Sequence, residues 1–302
     1  MGLRRAASAS ASAQDSCPEC REPLIPGKEK LFVEGYEKYK RLERKVDRLG
    51  RGWSNLPRAL QWEIDEVRNL WEQAADEGHT VAMYNIAGMY QDGQGVTQNW
   101  TTARQWVERS AVAGYVHAQA CAGTYYNEGH GGMTIDQGRA RMWYEKAAAQ
   151  GHAQAQHNLG AMNREGRGGP QDFTRAKELF ELAGAQGHAG SLYNLGYMAY
   201  HGQGMAPNVT KAREYNERSA ALGDCFVTYN IGCRYLAGDD IEQDLNQAMR
   251  WLLKAQALGA DVSKPVAMVM EERKKQNAQA QAEAQETRFT LQPRPRGEGR
   301  SV

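Results

Sequence analysis

The sequence is dominated by a glycine that returns at an almost constant interval. Six such glycines follow one another at spacings of 36, 37, 36, 36 and 36 residues. A chain that repeats a unit of this length folds as an array of similar modules, each packed on its neighbours. The repeat interval is therefore the property of the sequence that most strongly indicates a repeat architecture. We call these residues the anchor glycines: Gly78, Gly114, Gly151, Gly187, Gly223 and Gly259.

Each interval carries the same internal order of residues. In the third copy, a Gly-x-Gly turn at residues 166–168 is followed by Asp172, Ala176 and Leu179. Glycine adopts positive φ without strain and so ends a helix, whereas Asn or Asp caps the start of the next one. Each unit therefore reads as a helical hairpin. The predicted caps of the second helices are Asn99, Asp136, Asp172, Asn208 and Asp244.

One hairpin cannot bury its apolar face alone, but stacked copies share a continuous core. The sequence predicts an all-α fold with five repeats over residues 79–259. The Gly-x-Gly turns, the Asp/Asn-x-x-x-Ala pattern and the closing glycine resemble the Sel1-like repeat, a relative of the tetratricopeptide repeat. The resemblance implies a right-handed α/α superhelical solenoid of helical hairpins. It also implies an adaptor in protein complexes, without catalytic residues.

The flanks of the repeat array fit capping roles. Residues 28–52 form a predicted amphipathic helix whose charged side we interpret as a solvated face. Residues 56–77 mimic the second helix of a repeat and predict an N-terminal capping helix. Residues 260–276 predict a closing helix. We expect a disordered leader over residues 1–27 and a disordered tail over residues 277–302.

Composition excludes several classes of function. Lys and Arg number 37 against 36 Asp and Glu, a formal net charge of +1, so no chain-wide basic field attracts nucleic acid. Mean hydropathy is −0.72, and no apolar run approaches the about 18–20 residues of a membrane span.

Cys225 and Cys233 lie eight residues apart on one predicted helix. Their Cα atoms are therefore about 12 Å apart, which is too far for a disulfide. Reduced thiols favour the cytoplasm or the nucleus.

Two columns on the predicted first helices are candidates for partner binding. One column lies seven residues after the anchor glycine and is mostly asparagine. The other lies six residues after the anchor glycine and is mostly aromatic. An asparagine column could bind the backbone of an extended peptide, and an aromatic column suits ligand contacts. The alternative is that the asparagines hydrogen-bond a neighbouring repeat. The candidates are Asn85, Asn158, Asn194 and Asn230, and beside them Tyr84, His157, Tyr193 and Tyr229.

The N-terminal leader, residues 1–27, contains a Cys-x-x-Cys turn. Its Cys17 and Cys20 could present two thiolates to Zn²⁺. The turn resembles the last ligand pair of a RING-type zinc finger, although the other six ligands are absent from the residues before it. A remnant without metal is the simplest interpretation.

A ubiquitin-ligase component with a shortened zinc finger is the alternative function of the chain. A hydrolase of the Sel1-repeat type is a remote third, since no Ser-x-x-Lys or His/Glu metal set is found. We therefore expect a protein or peptide partner and no cofactor.

Overall fold

The computed structural model describes residues 27–50, 52–53, 56–132, 134–238 and 241–290. Within these ranges the chain forms thirteen α-helices and one short 3₁₀ segment, and no strand. The all-α prediction is confirmed. The helices are α1 Gly27–Leu49, α2 Arg58–Asp76, α3 Thr80–Asp92, α4 Trp100–Val112, α5 Val116–Glu128, α6 Gln137–Ala149, α7 Ala153–Glu165, α8 Phe173–Ala185, α9 Ala189–His201, α10 Val209–Ala221, α11 Cys225–Ala237, α12 Leu245–Ala257 and α13 Ser263–Thr290.

The described residues divide into two compact units. The first contains the residues up to Ala155 together with 167–169, and the second contains 156–166 and the residues from Pro170 onward. In the first unit α1 packs on α2, α3 on α4 and α5 on α6. In the second unit α9 packs on α10, α11 on α12, and α13 covers α11 and α12. Each repeat is therefore a helical hairpin, as predicted.

The predicted caps all form at the second helices. The side-chain oxygen of each Asn or Asp accepts a hydrogen bond from a backbone N–H in the first turn, as Asp172 does from Arg175 at 2.8 Å. In four of the five repeats the side chain of the residue after the anchor glycine caps the first helix in a similar way, whereas Tyr115 at the start of α5 makes no such bond. His188, for example, accepts from the backbone N–H of Ser191 through Nδ1 at 3.2 Å. Every helix start that uses such a cap satisfies one of its unpaired N–H groups.

Removing one of these caps has a defined cost. We expect Asp172→Ala to lower the free energy of unfolding by about 1 kcal/mol, because the N–H of Arg175 loses its acceptor at the start of α8. Asp172→Asn keeps a capping oxygen and is expected to lose less than half of that amount. Urea denaturation followed by circular dichroism measures both. Equal losses in the two variants would show that the cap itself contributes little.

In four of the five repeats a glycine on the first helix contacts a side chain of the second helix. An added Cβ at Gly160 would lie 2.8 Å from the ring of Phe180, and one at Gly232 would lie 2.8 Å from Leu252. Contacts this short mean that the helices meet at the backbone surface of α7 and α11. The first repeat has Ala87 at this position and the smaller Val107 opposite. The one repeat with a larger residue than glycine at this position thus has a small β-branched side chain opposite it.

The two helices before the repeats form a further hairpin of the same kind. An added Cβ at Gly35 of α1 would lie 2.8 Å from the indole of Trp71 in α2, matching the contact between Gly160 and Phe180. Phe32, three residues before Gly35, stacks on the N-cap His79 at 4.3 Å. The sequence predicts α1 only as an amphipathic helix with a solvated exterior. In the structure the apolar side of α1 packs on α2, so α1 takes the place of the first helix in a hairpin whose second helix is α2.

The last helix is longer than the sequence predicts. The pattern favours a closing helix over 260–276, whereas α13 begins at Ser263 and continues to Thr290. Alanine, glutamine and glutamate fill most of the added segment and are strong helix formers, so no residue stops the helix at Gln276. The expected tail therefore begins as helix, and residues 291–302 lie outside the described part of the chain, as does the leader up to residue 26.

Candidate binding surface

The two candidate columns lie on the first helices α3, α7, α9 and α11, and all eight side chains are half-buried. Within each unit the first helices follow one another through the repeats, so the columns run across successive hairpins. The side chains differ in what they contact. Some pack between repeats and hold the array together, whereas others lie among cations and tyrosine rings.

His157 joins two repeats. Its Nδ1 lies 3.0 Å from the Ser191 hydroxyl, and its ring stacks on His188 at 4.3 Å. Burial, with smaller contributions from His188 and Arg164, lowers the pKa of His157 to about 4. Neutral His157 is therefore part of the packing between α7 and the start of α9.

Tyr84 is also a packing residue. Its ring meets Tyr115, which lies next to the following anchor glycine, edge to face at 5.4 Å. Burial raises the pKa of the Tyr84 hydroxyl, so this group stays protonated. Tyr84 and His157 thus occupy equivalent positions and both touch the start of the next first helix. This part of the aromatic column stabilises the array.

Asn194 lies in a cluster of arginine and tyrosine side chains on α7, α9 and α11. Its Oδ1 accepts a hydrogen bond from the Arg164 guanidinium at 2.6 Å, and its amide donates to the Gly190 carbonyl at 3.0 Å. The Arg164 guanidinium lies 5.6 Å from the centre of the Tyr197 ring. Asn194 therefore hydrogen-bonds a side chain of the preceding repeat as well as the backbone of its own helix.

The same cluster continues on the next repeat. The Arg234 guanidinium lies 5.2 Å from the ring of Tyr193 and 5.8 Å from the ring of Tyr197. Both guanidinium groups thus lie within cation–π distance of the Tyr197 ring, which attracts each of them. We call Arg164, Tyr193, Tyr197 and Arg234 the arginine–tyrosine cluster. The sequence interpretation missed Arg164, Tyr197 and Arg234, because they lie outside the two columns.

The remaining candidates are less constrained by contacts. In the last repeat, Tyr229 and Asn230 lie on α11, and the Tyr229 hydroxyl hydrogen-bonds the Cys233 thiol. Asn158 lies on α7, one repeat before Asn194, and is also held by an interaction with its surroundings. Asn85 on α3 differs from all of these, since its Oδ1 is buried without a hydrogen-bond partner.

Two cysteine thiols on the first helices have raised pKa values. Burial raises the pKa of the Cys121 thiol to about 11 and also raises the pKa of Cys233, so both are protonated at neutral pH. Among the described residues, no group of three or more His, Cys, Asp or Glu is arranged to hold a metal ion. Cys17 and Cys20, the predicted zinc ligands, lie outside the described residues. No described helix has the length and hydropathy of a membrane span.

A family model described as the Sel1 repeat matches residues 80–115, 116–152, 153–188, 189–224 and 227–259. A solved Sel1 repeat protein from Oxalobacter formigenes is 23% identical, with a TM-score of 0.60 over 76% of this chain and 83% of that one. The structure of c5321, a protective antigen of uropathogenic Escherichia coli strains with an SLR fold, is 26% identical, with a TM-score of 0.57 over 76% of this chain.

The chain spans about half of the length of c5321, 49% of that protein. No curated protein matches the chain at a significant level. The five matched segments begin two to four residues after the anchor glycines, where the sequence places the repeats. The predicted repeat type and the solenoid fold class are therefore confirmed.

Proposed function

Because this chain belongs to the Sel1 repeat family, we propose that it is a non-enzymatic scaffold that binds a protein or a peptide. The binding face in this proposal is formed by the first helices, the predicted concave face. Repeat proteins of this kind present extended surfaces built from equivalent positions, which suit a long and irregular partner. Sel1 repeat proteins are typically protein-interaction scaffolds.

The arginine–tyrosine cluster is the observation that carries the proposal. Tyrosine and arginine are enriched in the parts of protein interfaces that contribute most binding energy. Here Tyr197 lies within 6 Å of both guanidinium groups, and Asn194 holds Arg164 in place. The tyrosine rings and the arginine side chains of the cluster are thus ordered before a partner binds, which lowers the entropy cost of binding.

Substitution in the cluster tests the proposal. We expect the double variant Asn194→Ala, Tyr197→Ala to recover its main partner about tenfold less well, as a loss of about 1.4 kcal/mol requires. The measurement is affinity capture with quantitative mass spectrometry, followed by titration of the identified partner. The helical circular dichroism of the variant should equal that of the wild type.

Arg218→Ala is the matched control, because Arg218 is exposed on the second helix α10 and lies away from the cluster. It removes one cation without touching the first-helix face, and partner recovery should stay at the wild-type level. Equal recovery by the double variant and the wild type would contradict the proposed face. A loss of the same size in Arg218→Ala would show that partner recovery does not depend specifically on the first-helix face.

A further inference from the structure

Three tyrosines line the exposed side of α9. Tyr193, Tyr197 and Tyr200 are half-buried and lie four and three residues apart, so they share one face of the helix. The leucines and the methionine of α9 are buried on the other side: Leu192, Leu195 and Met198. The outer face of α9 is therefore aromatic and polar, and it lacks a leucine, isoleucine, valine or methionine. We call the three tyrosines the tyrosine ridge.

A guanidinium and an imidazole connect the rings of the ridge. The Arg234 guanidinium lies 5.2 Å from the ring of Tyr193 and 5.8 Å from that of Tyr197. The His201 ring lies 4.2 Å from the ring of Tyr197 and 5.1 Å from that of Tyr200. With a helical rise of about 1.5 Å per residue, the ridge extends over about 10.5 Å from Tyr193 to Tyr200. It is therefore a continuous row that its neighbours hold in place.

Two hydroxyl groups of the ridge remain available to a partner. Those of Tyr197 and Tyr200 form no hydrogen bond with any described residue, and neither oxygen is buried. The Tyr229 hydroxyl on α11, by contrast, is bonded to the Cys233 thiol. Each open hydroxyl can donate to a carbonyl oxygen. The ridge thus combines aromatic surface with two hydrogen-bond donors.

Two common modes of peptide recognition do not fit this face. The described residues form no strand, so a peptide cannot extend the edge of a sheet here. An amphipathic helix binds in an apolar groove, whereas the outer face of α9 carries tyrosine, asparagine and histidine. The tyrosine ridge therefore suits neither an added strand nor a docked helix.

Recognition of a phosphate or a carboxylate by arginine does not fit either. Arg164 already donates through Nη1 to Asn194 at 2.6 Å and through Nη2 to Glu165 at 2.7 Å. Both Nη atoms of Arg234 are buried, so neither guanidinium presents an open fork to an anion. The sequences of α9 and α11 contain no Asp or Glu, so the two arginines would repel a basic segment. A neutral segment fits this face best.

We propose that the tyrosine ridge binds a neutral, proline-rich segment of the partner in the polyproline II conformation. Such segments dock on aromatic surfaces, and their carbonyl oxygens accept from donors such as tyrosine hydroxyls, while proline has no N–H group to satisfy. Three residues of about 3.1 Å make one turn of about 9.3 Å, so prolines one turn apart contact both ends of the ridge. The inference rests on the proposed function, because the ridge is part of the first-helix face, and it names the chemistry of the partner.

Acetyl-hexaproline amide is the probe for this site. Titration into the full chain with ¹³C-labelled tyrosine should shift the ring signals of Tyr197 and Tyr200, each assigned by its loss in the corresponding phenylalanine variant. We expect saturation with a dissociation constant below about 1 mM. A flexible peptide of alternating glycine and alanine of the same length should bind at least about tenfold more weakly, because it must be ordered on binding. Equal affinity of the two peptides, or ring signals that do not saturate, would overturn the proposal.

The tail of the chain tests the choice of a neutral segment. Residues 291–300 contain Pro293 and Pro295 together with three arginines and one glutamate. A synthetic peptide of this sequence should bind at least about tenfold more weakly than hexaproline, since its basic groups meet Arg164 and Arg234. Equal or tighter binding of the tail peptide would overturn the choice of a neutral partner segment.

Substitution at Tyr197 separates the ring from its hydroxyl. We expect Tyr197→Phe, which keeps the ring, to weaken hexaproline binding about threefold, and Tyr197→Ala to weaken it at least about tenfold. Trp62→Ala is the matched control, because Trp62 is another aromatic residue, 68% exposed on α2 and outside the ridge. It should bind hexaproline like the wild type, and all three variants should keep the helical circular dichroism. Wild-type affinity in Tyr197→Ala, or an equal loss in Trp62→Ala, would overturn the proposal.

This inference and the proposed function can fail separately. Absent hexaproline binding together with impaired partner recovery by Asn194→Ala, Tyr197→Ala would contradict the proline-rich partner alone. Saturable hexaproline binding together with normal recovery by that variant would contradict the proposed function and leave the ridge as a site for proline-rich segments.

Discussion

Acidification from pH 7.5 to pH 4 is expected to lower the free energy of unfolding by up to about 3 kcal/mol through His157. Burial lowers the pKa of this imidazole from the usual 6.5 to about 4, with further contributions from His188 and Arg164. Each pKa unit by which the folded and the unfolded chain differ corresponds to about 1.4 kcal/mol of unfolding free energy. The value is an upper bound, because His157 is only half-buried.

The direction follows from proton binding. At pH 7.5 the imidazole is neutral in both states, so the stability at that pH contains no penalty from His157. Between pH 6.5 and about 4 the unfolded chain binds a proton that the folded chain does not, and stability falls as the pH falls. Below the folded pKa the loss is complete. Burial also lowers the pKa of His188 and of His152, which adds losses in the same direction.

His157→Tyr isolates this contribution, because Tyr84, Tyr193 and Tyr229 occupy the equivalent position in other repeats. Urea denaturation of both proteins at pH 7.5, 5.5 and 4 measures the effect. The stability of the variant relative to the wild type should rise by up to about 3 kcal/mol across that range. A constant difference at all three pH values would show that His157 does not titrate differently on folding.

Gly160→Ala is expected to lower the free energy of unfolding by about 1–2 kcal/mol. The new Cβ would lie 2.8 Å from a ring carbon of Phe180, a fully buried side chain that has no free space to move into. Such overpacking costs about 1–3 kcal/mol, whereas alanine gains at most about 1 kcal/mol in helix propensity. The clash therefore decides the sign. Urea denaturation measures the change.

Gly88→Ala is the matched control. Gly88 also lies inside a first helix, but an added Cβ there meets no atom within 4 Å. Helix propensity alone then acts, and we expect a gain of up to about 1 kcal/mol. Opposite signs at Gly88 and Gly160 would support the packing explanation. A loss at both positions would instead indicate that flexibility of the first helices matters.

A second substitution should relieve the clash. The first repeat pairs Ala87 with Val107 at the positions of Gly160 and Phe180. We expect Gly160→Ala, Phe180→Val to be at least about 1 kcal/mol more stable than the sum of the two single losses, because the alanine then faces a smaller side chain. Additive losses would contradict a direct contact between these two positions.

Much of the fold could be predicted from local signals. The anchor glycines and the Asn or Asp caps mark where a helix ends or begins through the backbone of a few neighbouring residues. The starts of the second helices therefore follow from the sequence alone, as at Asp172 and Phe173. The end of α13 did not follow, because no stop residue lies near Gln276 and helix formers continue beyond it.

The candidate site was predictable only in part. The sequence placed the asparagine and aromatic columns on one side of the first helices, but it could not tell packing residues from accessible ones. His157 and Tyr84 occupy equivalent positions, and only their neighbours His188 and Tyr115 show that both hold repeats together. Arg164 lies outside the columns and became visible through its bond to Asn194.

The sequence by itself determined the repeat, its length, its turns and its caps, because these depend on backbone geometry within a few residues. The tertiary structure decided which distant side chains meet. The hairpin of α1 and α2 carries no repeat spacing, since a longer connection separates Gly35 from Trp71. Only packing shows that this pair matches Gly160 and Phe180.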